Sequence, residues 1–151
     1  MRGSYIDVYY HVVWPTKNRE PYISELIERS LFSYLSILCS SVRVDVFATN
    51  GMPDHVHLAC SVPPSLSMSQ VIKDLKGKSA HFINHMPAGA HYMAWQPGYG
   101  LLTFSKRDLR YVVSYVNNQK QHHADSSLTV ALERCSSEFN VPEGQSSNPN
   151  P

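Results

Sequence analysis

An α+β fold, one antiparallel sheet of the split βαβ type with helices laid on it, is predicted by three features of this sequence. Short stretches rich in β-branched and aromatic residues alternate with longer stretches whose apolar residues recur at helical spacing, in the order β-α-β-β-α-β-α. A dense turn signal, Asn50-Gly51-Met52-Pro53-Asp54, ties the second and third strands into a hairpin. Right-handed crossovers through the two long helices then put both on one face of the sheet, the ferredoxin-like arrangement, with the last helix added to that core.

Each element has its own warrant. Residues 5–14 (Tyr-Ile-Asp-Val-Tyr-Tyr-His-Val-Val-Trp) are β-prone and end at Pro15, so they read as the first strand. A polar loop with Lys17 and Arg19 follows. Ser24 is a helix N-cap with Glu25 and Glu28 in the first turn, and Leu26, Ile27, Leu31, Tyr34, Leu35 and Leu38 form the apolar stripe. Residues 42–49 alternate Val42, Val44 and Val46 against Arg43 and Asp45, a second strand; residues 55–62 return as the third. Ser67 opens a second helix with Met68, Val71, Ile72, Leu75, Ala80, Phe82 and Ile83 toward the core, interrupted at Gly77 and stopped by residues 87–89. Residues 91–100 are irregular, residues 101–105 a fourth strand, and residues 106–123 a third helix. Residues 1–135 are expected to form a single domain, and residues 136–151 a disordered polar tail.

Composition narrows the class of protein. With 151 residues, 42% hydrophobic and 17% charged, the chain is an ordinary globular domain. No apolar run is long enough to span a bilayer and no secretory leader opens the chain, so a cytoplasmic location is expected. Cys39, Cys60 and Cys135 lack CxxC spacing; the first two read as buried core thiols. Net charge is only +1, yet between residues 67 and 123 Lys73, Lys76, Lys78, Lys106, Arg107, Arg110 and Lys120 face only Asp74 and Asp108. Such a local bias suits phosphate contact, although a solvated face is its commoner meaning.

The chemistry-bearing stretch is Pro53-Asp54-His55-Val56-His57-Leu58. Residues two apart on a strand share a face, so His55 and His57 present two imidazoles side by side. Imidazole is the commonest side-chain metal ligand, and a structural or zinc-binding pair is the more frequent meaning of His-x-His alone. A third ligand is available on the last helix: Gln119 lies one turn beyond Tyr115, and its carboxamide oxygen completes a His-His-Gln set with a phenol one turn away. A metal that polarises a phosphate beside a tyrosine is the arrangement phosphodiester attack needs, provided the phenol, with a free pKa of about 10, is ionised. Tyr111 is the rival nucleophile on the same stripe, and His122 extends it. His81 and His85 form a second helical pair without a third ligand. His11 and His91 carry no separate signal.

These residues resemble a known family. His55-Val56-His57 is similar to the HUH motif, and Tyr115-Val116-Asn117-Asn118-Gln119 followed by His122-His123 resembles the single-tyrosine motif of small HUH transposases of bacterial and archaeal insertion sequences, the IS200-like family. Val12-Val13-Trp14-Pro15-Thr16-Lys17-Asn18-Arg19 and Trp95-Gln96-Pro97-Gly98-Tyr99-Gly100 resemble further family blocks, so the likeness runs over residues 5–123. It implies a DNA transposase that cuts and rejoins single-stranded DNA, with Tyr115 as nucleophile and Mg²⁺ or Mn²⁺ held by His55, His57 and Gln119. It also implies a 5′-phosphotyrosine intermediate, recognition of DNA hairpins, and homodimers whose active sites are shared in trans. Lys73, Lys76, Lys78, Lys106 and Arg107 are expected to contact DNA, and Trp95 and Tyr99 to stack on bases, although helix solubility and loop anchoring explain several of these almost as well. The trans arrangement also has a geometric premise: the short link after residues 101–105 is expected to keep the last helix from its own chain's histidines. Two other function classes stand beside this one, an inactive hairpin-binding relative and a metal-dependent nuclease without a covalent intermediate.

Overall fold

The computed structural model describes residues 3–87 and 92–136. Four strands, β1 (Tyr9–Pro15), β2 (Asp45–Met52), β3 (His55–Ser61) and β4 (Gly100–Phe104), form one antiparallel sheet in the order β2-β3-β1-β4. Helices α1 (Glu25–Ser41) and α2 (Met68–Asn84) are the crossovers; α3 (Leu109–Asn117), α4 (Gln119–Asp125) and α5 (Val130–Glu133) follow β4. This is the α+β, ferredoxin-like arrangement the sequence predicts.

The two faces of the sheet carry different chemistry because strand side chains alternate. Val12 and Trp14 of β1 and Val56, Leu58 and Cys60 of β3 point to the face covered by α1 and α2. There they meet Ile27, Leu31, Leu35 and Cys39 of α1 and Val71, Ile72, Leu75 and Ile83 of α2, which form the main core. Ser24 caps α1, its side chain accepting from the Ile27 N–H at 3.3 Å. Burial pushes the Cys39 thiol up to about 11 and the Cys60 thiol to about 12, so both are inert core groups.

The opposite face carries a second, small cluster: Ala48, Ala59, Val112 and Val116, with Phe104 and Val113 packed against it. Alanines on β2 and β3 let α3 approach the sheet closely. Polar contacts complete the docking: Asn50 Nδ2 donates to the Asn117 carbonyl at 2.9 Å, and Lys120 Nζ reaches Glu28, Asn50 Oδ1 and the Gly51 carbonyl. Gly51 is required here, because a Cβ at that position would run into the His55 carbonyl.

Several boundaries depart from expectation. Strand β1 begins at Tyr9 rather than residue 5, because pairing ends where Tyr9 meets Phe104, the last residue of β4. Helix α2 is continuous through Gly77, whose missing side chain faces open space and costs the helix nothing in packing. It ends at Asn84, before Pro87; Ala88 and Gly89 lie outside the described residues. The expected single helix over 106–123 is a 3-10 turn at Lys106–Asp108 followed by α3 and α4. The break falls at Asn118, which closes α3: its N–H and its Nδ2 both donate to the Ser114 carbonyl, at 3.1 and 2.8 Å. Leu26, placed on the α1 stripe, faces solvent. Of the expected tail, only Ser136 lies within the described residues.

Candidate metal and tyrosine site

The site grows out of the turn between β2 and β3. Met52 pairs with His55 and Asn50 with His57, while on the other side β1 sets Pro15 opposite His55 and Val13 opposite His57. Both histidines therefore sit on central strand β3, on the face away from the main core, and both are essentially fully buried. Their rings lie 5.0 Å apart at 72°.

Each imidazole is oriented from behind. The Nδ1 of His55 is 2.7 Å from Asp54 Oδ1, and the Nδ1 of His57 is 2.8 Å from the Nε2 of His11, a buried residue two positions before Val13 on β1. The hydrogen bond to His55 holds the Asp54 carboxyl below its ordinary range, with Arg19 at 3.7 Å adding to the effect. With Nδ1 engaged, Nε2 of both rings is aimed at one point, the second-shell pattern of metal-binding histidines. Burial holds both His11 and His57 below the ordinary imidazole pKa, His11 at about 3. Both rings are neutral at pH 7, the form that ligates metal.

The residue at that point was not singled out in the sequence. Glu133, on α5, places Oε2 at 3.1 Å from His57 Nε2 and 3.5 Å from His55 Nε2. The ligand atoms of His55, His57 and Glu133 all lie within 4.8 Å of one another. Oε1 of the same carboxylate accepts a 2.6 Å hydrogen bond from the Tyr115 hydroxyl and lies 3.7 Å from His123 Nε2. Although burial opposes it, the hydrogen bonds from His57 and Tyr115 and the proximity of His57 hold the Glu133 carboxyl at about 2.

Tyr115 is 2% exposed, its ring 6.2 Å from that of His57 and stacked on His122 at 4.5 Å. Burial, then the hydrogen bond to Glu133, pushes its phenol up to about 12. Gln119 is completely buried, and neither of its amide atoms has a hydrogen-bond partner. The Nε2 atoms of His55 and His123 are likewise unpartnered. Unsatisfied buried donors and acceptors are costly. A cation where His55, His57 and Glu133 meet would take up the unpartnered His55 Nε2 and balance the buried carboxylate, so the residues present fit a divalent ion.

The remaining predicted residues divide. Tyr111 is exposed and hydrogen-bonds Thr129 Oγ1 at 2.9 Å, away from the histidines. Trp95, expected to stack on bases, is buried against Trp14; its Nε1 donates to Ser79 Oγ at 3.0 Å, and it bridges to Thr16. Its indole helps close the core. Lys76 Nζ donates to the carbonyls of Gln96 and Gly98, pinning the glycine-rich loop, while Lys73, Gly98 and Tyr99 line a shallow cavity beside it. Lys73 and Lys78 are exposed; Lys106 lies 3.7 Å from Asp7, and Arg107 pairs with Asp108. His81 and His85 stack on each other at 3.9 Å without a third ligand among the described residues; His91 lies outside them.

The premise that the last helix cannot reach its own chain's histidines is overturned. The 3-10 turn after β4 reverses the chain, and α3 lies across β2 and β3 of the same sheet. The tyrosine and the histidine pair meet within one chain.

Comparisons with known proteins identify the family. The family model described as "Transposase IS200 like" matches residues 4–119. The chain belongs to the IS200-like transposase family. It is 28% identical over 123 residues to the ISDra2 transposase TnpA of Deinococcus radiodurans, covering 78% of this chain and 88% of that one. It is 32% identical over 71 residues to the transposase for insertion sequence element IS200 of Salmonella typhimurium, 47% of each chain. Among solved structures, one of a transposase from Deinococcus radiodurans superposes with a TM-score of 0.61 at 27% identity, over 79% of this chain and 95% of that one. A tyrosine transposase bound to a REP hairpin gives a TM-score of 0.61 at 17% identity, over 82% and 73%, and shares the fold. A transposase fold and a DNA-processing role for this family member are therefore established. Glu133 lies beyond the matched residues. Among the described residues no helix is long and apolar enough to cross a membrane.

Proposed function

We propose that this transposase cuts and rejoins single-stranded DNA at insertion-sequence ends through a 5′-phosphotyrosine on Tyr115. The observation that carries the reading is that the Tyr115 hydroxyl and the two histidine Nε2 atoms converge on one carboxylate, the volume a scissile phosphate and its ion would take. His55, His57 and Gln119 hold Mg²⁺ or Mn²⁺ in this reading, with Asp54 and His11 fixing the two rings. When bound, the ion supplies positive charge that polarises the phosphate and favours the phenolate.

Tyr115 does the covalent chemistry. Its oxygen bonds to phosphorus as the bond from phosphorus to the 3′ oxygen breaks. The phenol proton is released, and the leaving oxygen takes up a proton to become a free 3′-OH. An incoming 3′-OH reverses the step and frees the tyrosine. One ester replaces another, so no outside energy source is needed. Burial of Tyr115 keeps the phenol inert until the site opens, which suits an enzyme that must not nick at random. Hairpin recognition fits Lys73 and Lys78, exposed on α2, and the half-buried Tyr99 in the loop that Lys76 pins.

The test is incubation of the full chain with single-stranded DNA from the flanks of its own gene, followed by a denaturing gel. A covalent adduct is expected with Mg²⁺ or Mn²⁺, and none with chelator. Tyr115→Phe removes one oxygen and is expected to abolish the adduct with hairpin binding kept within about twofold. An adduct that survives in Tyr115→Phe and disappears in Tyr111→Phe assigns the nucleophile to Tyr111 instead. Cleavage without any adduct would make the protein a non-covalent nuclease; binding without cleavage, an inactive relative.

A further inference from the structure

We propose that Glu133 is a fourth protein donor to the divalent ion of the His55–His57 site, and that it gives way to the scissile phosphate when DNA binds. The inference rests on the metal-dependent reading above and adds a residue that lies outside the stretch shared with the family model.

The first argument is electrostatic. The Glu133 carboxylate is only 16% exposed and faces His55, His57, His123 and Tyr115, none of which carries a fixed positive charge. A carboxylate withdrawn from water needs a cation or a full set of hydrogen bonds. The set it finds is incomplete: His55 Nε2 and His123 Nε2 point into the same space without a hydrogen-bond partner, and buried Gln119 has both amide atoms unused. One divalent ion at the point where His55, His57 and Glu133 meet balances the carboxylate and takes up the free His55 Nε2, and the Gln119 carboxamide oxygen can complete its shell. Adding a carboxylate oxygen to two imidazoles and an amide makes a harder, charge-compensated donor set, suited to Mn²⁺ and better than neutral ligands for Mg²⁺.

The second argument is steric. Glu133 does not only face the histidines; its other oxygen accepts the Tyr115 hydroxyl at 2.6 Å. It thus makes the two contacts a phosphate must make, one to the metal ligands' side and one to the nucleophile. While it stays there Tyr115 is 2% exposed and out of reach. The segment that carries it is slight. Helix α5 has four residues and one buried apolar side chain, Leu132, and is held to α3 by the Thr129 N–H on the Tyr115 oxygen at 3.0 Å and by Tyr111 on Thr129. Apart from the contacts of Glu133 itself, which a phosphate would take over, the hold on this four-residue helix is mostly polar, with Leu132 as its one buried apolar side chain. The segment also leans on β4 where only glycine fits: a Cβ at Gly100 would collide with the Arg134 carbonyl.

The experiment measures Mn²⁺ binding to DNA-free full-length protein by electron paramagnetic resonance, for wild type, Glu133→Gln, Glu133→Ala and His57→Ala. Binding is measured again with single-stranded DNA from the flanks of the protein's own gene at saturation, on Tyr115→Phe versions of the same proteins so that no cleavage intervenes. Without DNA both Glu133 variants are expected to lose at least tenfold in Mn²⁺ affinity; with DNA bound the difference from the Glu133 parent is expected to shrink to within twofold. A loss of less than tenfold in both without DNA overturns the ligand role. A tenfold difference that persists with DNA bound overturns the exchange. His57→Ala separates the two levels: it should abolish binding, and undiminished Mn²⁺ affinity there defeats the metal site itself rather than the assignment of Glu133.

Discussion

His11 and His57 share a 2.8 Å hydrogen bond between buried rings, and each must stay neutral for it to serve the site. Burial holds both below the ordinary imidazole pKa, His11 at about 3. The sign of the linkage follows. Above about pH 6.5 neither state binds the proton and stability is full. Between there and the folded value the unfolded chain is protonated and the folded chain is not, so stability falls as pH falls, by up to about 1.4 kcal/mol per unit for each such histidine. Chelator-treated protein is therefore expected to lose urea stability steadily from pH 6.5 to 4.5, a window above the range in which Glu133 adds its own loss. His11→Gln keeps a donor and an acceptor but cannot titrate; it should flatten that slope, and an unchanged slope would refute the role given to His11. At this scale the sequence was legible in part. His55 and His57 announce themselves by strand period, and Tyr115 and Gln119 by helix period. His11 does not, because its link to His57 depends on the β1–β3 register, and Glu133 does not, because nothing in a lone acid 76 residues from His57 encodes their meeting.

Elements were legible where one face is buried and obscure where side chains compete with the backbone. Helices α1 and α2 follow from their stripes, and β3 from its alternation, because each packs one face against the same core. The break at Asn118 depends on a side chain choosing the Ser114 carbonyl over solvent, which periodicity does not report. Gly77, a helix breaker by propensity, does not interrupt α2. In a helix that already buries Val71, Ile72, Leu75 and Ile83, one exposed glycine lowers stability without breaking the ladder. Space around Gly77 is open, so Gly77→Ala is expected to raise the unfolding free energy by about 0.5–1 kcal/mol with DNA binding unaltered. Urea titration of the two proteins measures it; a destabilised variant would mean that the α2 backbone there is not the regular helix described.

The assembly question belongs to the whole molecule. The resemblance implies a homodimer in which each tyrosine helix serves the partner's histidines, while this structure closes the circuit within one chain through Ala48, Ala59, Val112 and Val116 and the Asn50 and Lys120 contacts. The cluster is small, and the turn at Lys106–Asp108 is short, with Lys106 and Arg107 exposed. Exchange of α3 to α5 between two chains would recreate the same contacts across a two-fold axis, at the cost only of the geometry of that turn. A mixture of a Tyr115→Phe chain with a His57→Ala chain distinguishes the arrangements. If the helices are exchanged, one composite site of the mixed dimer carries both defects and the other carries neither, so adduct reappears from two dead proteins, at up to about half the wild-type level per verified heterodimer. If the helices stay home, every site carries one defect and no adduct forms. Co-expression with two different tags, and purification through both, ensures that heterodimers are present before the assay. Recovery would show that the exchanged form is the one that cleaves; its absence from verified heterodimers would make the single-chain site described here the working one.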